Sequence, residues 1–176
     1  ALREACAGWV QRRYGVQVDP VTQVLPISGS REALFAFAQT IVDPTKPRPT
    51  VICPNPFYQI YEGAALLAGA EPYFIDTPEQ SGFLPDLEAV PASIWRRVQL
   101  LYLCSPGNPG GAVMTVAQWQ QALALAEKYD FLIAADECYA ELYADETRPP
   151  PSLLNAALAS GHAAFERCLV FHSLSK

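Results

Sequence analysis

The sequence of 176 residues is 51% hydrophobic and 17% charged, which is enough apolar chain for one globular domain and argues against a disordered protein. Its formal net charge of −6, with basic residues scattered along the chain, argues against a nucleic-acid-binding face. No apolar run approaches the roughly 20 residues that span a membrane, so we expect no membrane association.

The five cysteines occur singly, without the Cys-x-x-Cys spacing of metal or redox sites. Three of them lie in apolar runs, as reduced thiols do in cytoplasmic proteins, so we expect a cytoplasmic protein without a disulfide framework or a metal site. The N-terminal residues lack the apolar core of a signal peptide. Because the chain has no initiator Met and stops at a lysine suited to chemistry, we interpret residues 1–176 as one incomplete domain.

In chain order, apolar periodicity predicts helices that alternate with short strands. The first half contains a helix over 1–14, a strand over 24–27, a helix over 28–42, a strand over 51–53, a helix over 59–68, a strand over 72–75 and a loop with a short helix over 82–95. The second half contains a strand over 98–104, a helix over 116–129, a strand over 131–135, a helix over 152–159 and a strand over 168–171. This alternation predicts a three-layer α/β fold, with a mainly parallel sheet flanked by helices.

A serine- and glycine-containing segment, Ser28 to Arg31, lies between a predicted strand and a predicted helix. A helix N-terminus offers free amide groups and a partial positive charge, which suit a phosphate. Gly29 would let the backbone approach closely, and Ser30 would add a hydroxyl donor. The alternative is an ordinary serine N-cap followed by Glu32 in the first turn. Neither the G-x-G-x-x-G pattern nor the P-loop pattern is present, so a dinucleotide site has little support.

Two further candidates lie in loops that follow predicted strands. Tyr58 follows two prolines and a phenylalanine, where a rigid aromatic ring suits stacking on a flat ligand. Asn108 lies in a proline- and glycine-rich loop after the most apolar strand, where its amide suits a ligand oxygen. Taken alone, Tyr58 is better explained as a helix-start packing residue, and Asn108 as an ordinary turn residue.

Asp136 ends an apolar strand, where its carboxylate would be partly buried and would need a partner. That partner is the protonated ring nitrogen of a ligand or, alternatively, a backbone amide or an arginine. Tyr139, three residues further on, would place its phenol beside the same ligand. Glu137, His162 and His172 are interpreted as structural residues.

Lys176 follows the last predicted strand, with Ser173 and Ser175 just before it. Ligands of an α/β sheet gather at the carboxyl ends of its strands. A lysine that is partly desolvated there loses its proton more easily and attacks a carbonyl group. The alternative is a surface lysine on a loop.

Five segments together resemble the large domain of class I/II aminotransferases, which are pyridoxal phosphate enzymes of fold type I. They are Ser-Gly-Ser-Arg-Glu-Ala-Leu from residue 28, Pro-Phe-Tyr ending at 58, Ser-Pro-Gly-Asn-Pro-Gly-Gly from 105, Asp-Glu-Cys-Tyr from 136 and Ser-Leu-Ser-Lys from 173. The departures from the family pattern, at Ser105, Gly107 and Gly110, leave Asn108 in place. More narrowly, residues 29–39 and 54–72 resemble the bacterial succinyldiaminopimelate aminotransferases of lysine biosynthesis.

The resemblance implies a role for each candidate. Lys176 would hold pyridoxal 5′-phosphate covalently and shuttle a proton, while Asp136 would keep the ring nitrogen protonated. Asn108 and Tyr139 would bind the 3′-oxygen of the ring, and Tyr58 would stack on its face. The implied cofactor-binding set also includes Gly29, Ser30, Arg31, Ser173 and Ser175, among which Ser30, Ser173 and the Arg31 amide bind the phosphate.

The activity implied is transfer of an amino group between an amino acid and a 2-oxo acid. The expected substrates are N-succinyl-LL-2,6-diaminopimelate and 2-oxoglutarate, and the expected assembly of a full-length protein is a homodimer. Two arginines that the family uses after the lysine, for the phosphate and for the substrate carboxylate, have no counterpart here, so we expect residues 1–176 alone to be inactive. The alternatives are a β-lyase or decarboxylase of the same fold, a non-enzymatic or nucleotide-binding α/β domain, and a transcription regulator that carries such a domain.

Overall fold

The computed structural model describes residues 1–176 and contains one sheet of five strands. The strands are β1 (Thr50–Asn55), β2 (Glu71–Asp76), β3 (Val98–Cys104), β4 (Leu132–Asp136) and β5 (Cys168–Phe171). Their order across the sheet is β2-β1-β3-β4-β5, and every neighbouring pair is parallel. The predicted parallel sheet is confirmed, and all five strands therefore end at the same edge.

Six α-helices connect or precede the strands: α1 (Leu2–Tyr14), α2 (Ser30–Ile41), α3 (Ile60–Leu67), α4 (Ala92–Trp95), α5 (Val116–Tyr129) and α6 (Leu153–Ala159). Helix α1 ends at Gly15, which adopts the left-handed conformation with φ 69° that favours glycine at this position. Helix α5 begins with a capping box between Thr115 and Gln118, which satisfies free amide groups of its first turn. None of the helices combines the length and the apolar composition that crossing a bilayer demands.

Different helices cover the two faces of the sheet. On one face, Ile52, Leu101 and Ile133 pack in a core with residues from α1, α4, α5 and α6. On the other face, Val51 and Leu100 pack in a second core with residues from α2 and α3. Because side chains along a strand alternate between the two faces, each central strand contributes to both cores. The predicted three-layer arrangement is confirmed.

The prediction of a strand over residues 24–27 is wrong, because these residues pair with none of the five strands. The run contains Pro26, which has no amide hydrogen to donate to a neighbouring strand. Its apolar side chains are not buried either, since Leu25 is 74% exposed and Ile27 is 44% exposed. The segment instead has no regular secondary structure before the start of α2.

Candidate active site

A cleft of about 620 Å³ lies at the carboxyl edge of the sheet. The last residues of β3, β4 and β5, which are Cys104, Asp136 and Phe171, are adjacent in register. The loops after these strands therefore meet in one place. The cleft is lined by all ten residues predicted for the site, Gly29, Ser30, Arg31, Tyr58, Asn108, Asp136, Tyr139, Ser173, Ser175 and Lys176. It is also lined by five residues that the sequence did not predict there, Glu32, Tyr61, Cys104, Cys138 and Leu174.

Asp136 lies at the floor of this cleft and is only 6% exposed. Its Oδ2 atom accepts a hydrogen bond of 2.7 Å from the hydroxyl of Tyr61, and its Oδ1 atom accepts one of 3.3 Å from the amide of Cys138. Burial, together with the carboxylate beside it, raises the pKa of Tyr61, so the phenol stays protonated and donates. Both hydrogen bonds to Asp136 thus come from neutral groups, and its partner among the side chains is a tyrosine rather than the arginine considered from the sequence.

Tyr61 is the residue that sequence reasoning missed. It follows Tyr58 by three positions at the start of α3, and the two rings meet edge-on with centroids 6.0 Å apart. Its other neighbour is Tyr102 of β3, on which it stacks at 4.5 Å with an interplanar angle of 10°. The available signal was a second tyrosine, three positions after Tyr58, in the helix predicted over 59–68.

Replacing Tyr61 with phenylalanine tests the value of its hydrogen bond to Asp136. The ring and its stacking stay, but the buried carboxylate loses a donor, so we expect the free energy of unfolding to fall by about 1.5–3 kcal/mol. Tyr102→Phe is a matched control, because it removes a 2.7 Å bond from a buried tyrosine to the neutral carbonyl of Leu34, for which about 0.5–1.5 kcal/mol is expected. Equal losses in urea unfolding of the two variants would contradict a charged partner for Tyr61.

The N-terminus of α2 opens onto one side of the cleft. Gly29 occupies the N-cap position, and no side chain there accepts a hydrogen bond from the first-turn amides. The serine N-cap considered from the sequence therefore does not form. Ser30 and Arg31, the first two residues of the helix, line the cleft, so uncapped amides and a hydroxyl are available to an anion.

The segment after β5 forms the opposite side of the cleft. The hydroxyl oxygens of Ser173 and Ser175 lie 2.7 Å apart, and the amide of Ser175 donates to Ser173 Oγ at 3.2 Å. The ammonium of Lys176 lies 5.4 Å from the centroid of the Tyr139 ring. The partial desolvation expected for Lys176 is not observed, because residues 174–176 extend past the end of the sheet and are exposed.

Asn108 and Tyr139 line the cleft from the loops after β3 and β4. The β3 loop is fixed by Ser105, whose buried hydroxyl accepts a hydrogen bond of 2.9 Å from the amide of Met114. Asn108 itself is exposed and Tyr139 is half-buried. Two side chains able to bind a ligand oxygen therefore face the same space from neighbouring strands.

Two cysteines near Asp136 are also part of the lining. Burial, reinforced by the nearby carboxylate of Asp136, raises the pKa of both Cys104 and Cys138 to about 12. Both thiols therefore stay protonated at neutral pH and are poor nucleophiles. Lys176 remains the candidate nucleophile of the cleft.

Comparison with known proteins agrees with this geometry. The sequence model of the family Aminotransferase class I and II matches residues 1–176. The LL-diaminopimelate aminotransferases of Nitratidesulfovibrio vulgaris (strain DP4) and Moorella thermoacetica are 35% and 38% identical to the chain over 176 residues. In both cases the match covers 100% of this chain and 43% of the relative, so the chain spans less than half the length of these relatives.

Solved aminotransferase structures share the fold. An aminotransferase from Neisseria meningitidis is 46% identical with a TM-score of 0.93, over 99% of this chain and 44% of the other. A probable N-succinyldiaminopimelate aminotransferase from Thermus thermophilus is 33% identical with a TM-score of 0.84, over 98% of this chain and 44% of the other. These similarities confirm the fold implied by the sequence resemblance. With the family match over its whole length, the chain belongs to the aminotransferase class I and II family.

Proposed function

We propose that the protein carrying this chain is a pyridoxal-phosphate-dependent aminotransferase, and that residues 1–176 form part of its large, cofactor-binding domain. The main support for the proposal is that residues from separate segments of the chain meet in one cleft. Ten residues chosen from five separate segments of the sequence line one cleft at the carboxyl edge of the sheet. Membership in the aminotransferase class I and II family supports the same chemistry.

The cleft offers donors that fit the phosphate of this cofactor. The N-terminus of α2 carries partial positive charge, and its N-cap residue, Gly29, has no side chain to bond the first-turn amides. We assign the phosphate to this helix start, with Gly29, Ser30 and the Arg31 amide on one side. The hydroxyls of Ser173 and Ser175 supply donors from the other side.

The remaining groups fit a protonated pyridine ring. Asp136 offers a buried carboxylate whose two hydrogen bonds come from neutral donors, so its negative charge is available to a cationic ring nitrogen. We assign Tyr58 to the ring face, and Asn108 and Tyr139 to the ring oxygen. When bound, pyridoxal phosphate supplies an electron-withdrawing ring that makes the Cα–H of an attached amino acid acidic. Lys176 would hold the cofactor covalently before the substrate binds, and its amine, once the substrate amino group has displaced it, would move the proton at Cα.

For the substrates, we propose N-succinyl-LL-2,6-diaminopimelate as the amino donor and 2-oxoglutarate as the acceptor, in lysine biosynthesis. The Thermus thermophilus neighbour bears the N-succinyl name, while the curated relatives bear the LL-diaminopimelate name. Measuring kcat/KM for N-succinyl-LL-2,6-diaminopimelate and for LL-diaminopimelate, each with 2-oxoglutarate as the acceptor, decides between these two donors. We expect the succinylated donor to be preferred, and a clear preference for LL-diaminopimelate would replace this assignment.

A half-reaction with glutamate tests the reaction class. An aminotransferase converts bound pyridoxal phosphate to its amine form and releases one 2-oxoglutarate for each cofactor, with no ammonia. A β-lyase of the same fold would instead release ammonia and a 2-oxo acid from a suitable amino acid, and would leave the cofactor in its aldehyde form. The proposal fails if glutamate produces no amine form of the cofactor.

We further propose that this protein is a cytoplasmic homodimer. Support for the location comes from the five cysteines, which form no disulfide, as is usual in a reducing compartment. Support for the dimer comes from the family resemblance alone. Light scattering on the purified protein and fractionation of cells test the two statements, and a monomer or a secreted protein would contradict them.

A further inference from the structure

A buried glutamate and a half-buried histidine face each other behind the cleft, and the proposed reaction uses neither of them. Oε2 of Glu137 lies 3.7 Å from Nε2 of His172. Both atoms are inaccessible to solvent and have no hydrogen-bond partner. Buried polar atoms in folded proteins are almost always hydrogen-bonded, so the two facing atoms need a shared partner. At 3.7 Å they lie beyond the usual hydrogen-bond length. A proton on one of them, with a small approach of the two side chains, is the simplest partner.

The other oxygen of Glu137 is already occupied, which fixes the direction of Oε2. Oε1 accepts hydrogen bonds of 3.0 Å from Ser152 Oγ and 2.8 Å from the amide of Leu153, at the start of α6. The amide of Glu137 donates to the carbonyl of Phe171 at 2.9 Å. The carboxyl group is thus held between β4, β5 and α6, with Oε2 directed at His172.

Helix α1 covers the other side of the pair. The His172 ring stacks on Tyr14 with centroids 5.7 Å apart and meets Trp9 edge-on at 4.8 Å. The titratable groups that face the pair are Arg13 and Tyr14 on α1, Cys104 on β3, Asp136 on β4, Glu141 after β4 and Cys168 on β5.

Three of these surrounding groups, Arg13, Asp136 and Glu141, act on the pair through their charges. Burial raises the pKa of Tyr14 and of both cysteines, so all three stay neutral. Arg13 and Glu141 form an ion pair of 2.7 Å, which leaves the carboxylate of Asp136 without a cation. Arg13 favours ionisation of Glu137 more than Asp136 opposes it, and Glu141 favours a charge on His172 more than Arg13 opposes it. Burial, rather than these charges, therefore keeps the pair neutral.

Burial is the largest influence on the pKa values of both Glu137 and His172. It raises the pKa of Glu137 to about 8 and lowers the pKa of His172 to about 4. A neutral glutamic acid next to a neutral imidazole follows at pH 7. An acid with one O–H and an imidazole with one free nitrogen match as donor and acceptor.

We propose that Glu137 keeps its proton in the folded protein and donates it from Oε2 to Nε2 of His172, forming a neutral pair that positions the Ser173–Lys176 loop. Glu137 directly follows Asp136, and His172 directly precedes Ser173. The pair therefore ties the β4 end to the β5 end, at the two points where those strands enter the cleft. The positioning role rests on the proposed function, but the protonation of Glu137 does not.

Nitrogen-15 NMR of labelled histidines tests the protonation directly. The histidines within residues 1–176 are His162 and His172. His162, whose Nε2 lies 3.3 Å from the exposed Glu127 carboxylate, is the internal control. We expect His172 to stay neutral at pH 7, with a shift inflection near pH 8 as Glu137 ionises. Glu137→Gln should remove that inflection, because the glutamine amide donates to Nε2 of His172 and does not ionise. The signals of His162 should be the same in both proteins. An imidazolium at His172 at pH 7, or the same inflection in the Gln variant, would contradict the proposal that Glu137 is protonated beside a neutral His172.

Cofactor affinity tests the positioning role. If only the protonated pair holds the loop correctly, about one-tenth of the protein is competent one pH unit above the Glu137 pKa, and the apparent Kd for pyridoxal phosphate rises about tenfold. Glu137→Gln should lack this rise between pH 7 and pH 9. Equal rises in the two proteins would overturn the positioning role. If neither protein binds the cofactor, the proposed function fails, while the NMR result still decides the pair.

The free energy of unfolding should depend on the protonation of Glu137. The pKa of Glu137 is raised from 4.5 to about 8 on folding, so its contribution to stability is lost as pH rises through the folded value. The pKa of His172 is lowered from 6.5 to about 4, which opposes that loss below pH 6.5. We expect the urea midpoint to fall between pH 6.5 and 8 by more in the parent than in Glu137→Gln. An identical fall in both proteins would contradict a protonated Glu137.

Discussion

In the full-length protein, replacing Lys176 with alanine should abolish covalent attachment of pyridoxal phosphate and reduce turnover by about 10²–10⁴-fold or more, the contribution of a positioned proton-transfer group. The chain has three lysines, at 46, 128 and 176, and only Lys176 lines the cleft. Because its side chain is exposed, the substitution should leave the fold intact. The absorbance band of the protein-bound cofactor and steady-state turnover are the measurements.

Lys46→Ala is the matched control for this experiment. Lys46 is also exposed, and it lies in the turn after α2, away from the cleft. It should keep both the absorbance band and the turnover of the parent protein. The assignment of Lys176 would be wrong if its alanine variant behaved like the Lys46 variant.

Asp136→Asn should retain the cofactor but slow proton transfer at the substrate Cα by about 10- to 1,000-fold. That range corresponds to the roughly 1–3 pKa units by which a close opposite charge favours a protonated partner. Asparagine keeps the size of the side chain, and its carbonyl oxygen can still accept from Tyr61, which bonds to Asp136 at 2.7 Å. It removes the negative charge that we assign to the ring nitrogen. Exchange of the Cα hydrogen with deuterated solvent measures the step itself.

Asp76→Asn provides the control, because Asp76 is also the last residue of a strand at the same edge of the sheet. It is exposed, bonds to Asn55 at 2.8 Å and does not line the cleft. We expect normal Cα exchange in this variant. Exchange at the parent rate in Asp136→Asn would remove Asp136 from the role of partner to the ring nitrogen.

The sequence predicted the sheet well where a long apolar run or a cap defines an element. The bounds of β3, Val98–Cys104, and of α5, Val116–Tyr129, agree with the prediction. One is a continuous apolar strand in the middle of the sheet, and the other begins at a capping box. The error over residues 24–27 arose because a short apolar run does not reveal whether a neighbouring strand will pair with it.

The site was predictable to the extent that it is built from strand-end loops. Parallel strands end at one edge, so residues after β3, β4 and β5 had to lie close together. The partner of Asp136 was not predictable, because Tyr61 lies 75 residues away and contacts it through tertiary packing. Glu137 and His172 looked structural for a similar reason, since their facing atoms meet only when β4 and β5 pair.

Peptide mapping after borohydride reduction tests whether these loops form one pyridoxal phosphate site. The protein is incubated with the cofactor, reduced and digested, and the modified lysine is identified by mass spectrometry. We predict stoichiometric modification of Lys176, with Lys46 and Lys128 unmodified. Absence of any adduct, or modification of the two other lysines in preference to Lys176, would contradict the account.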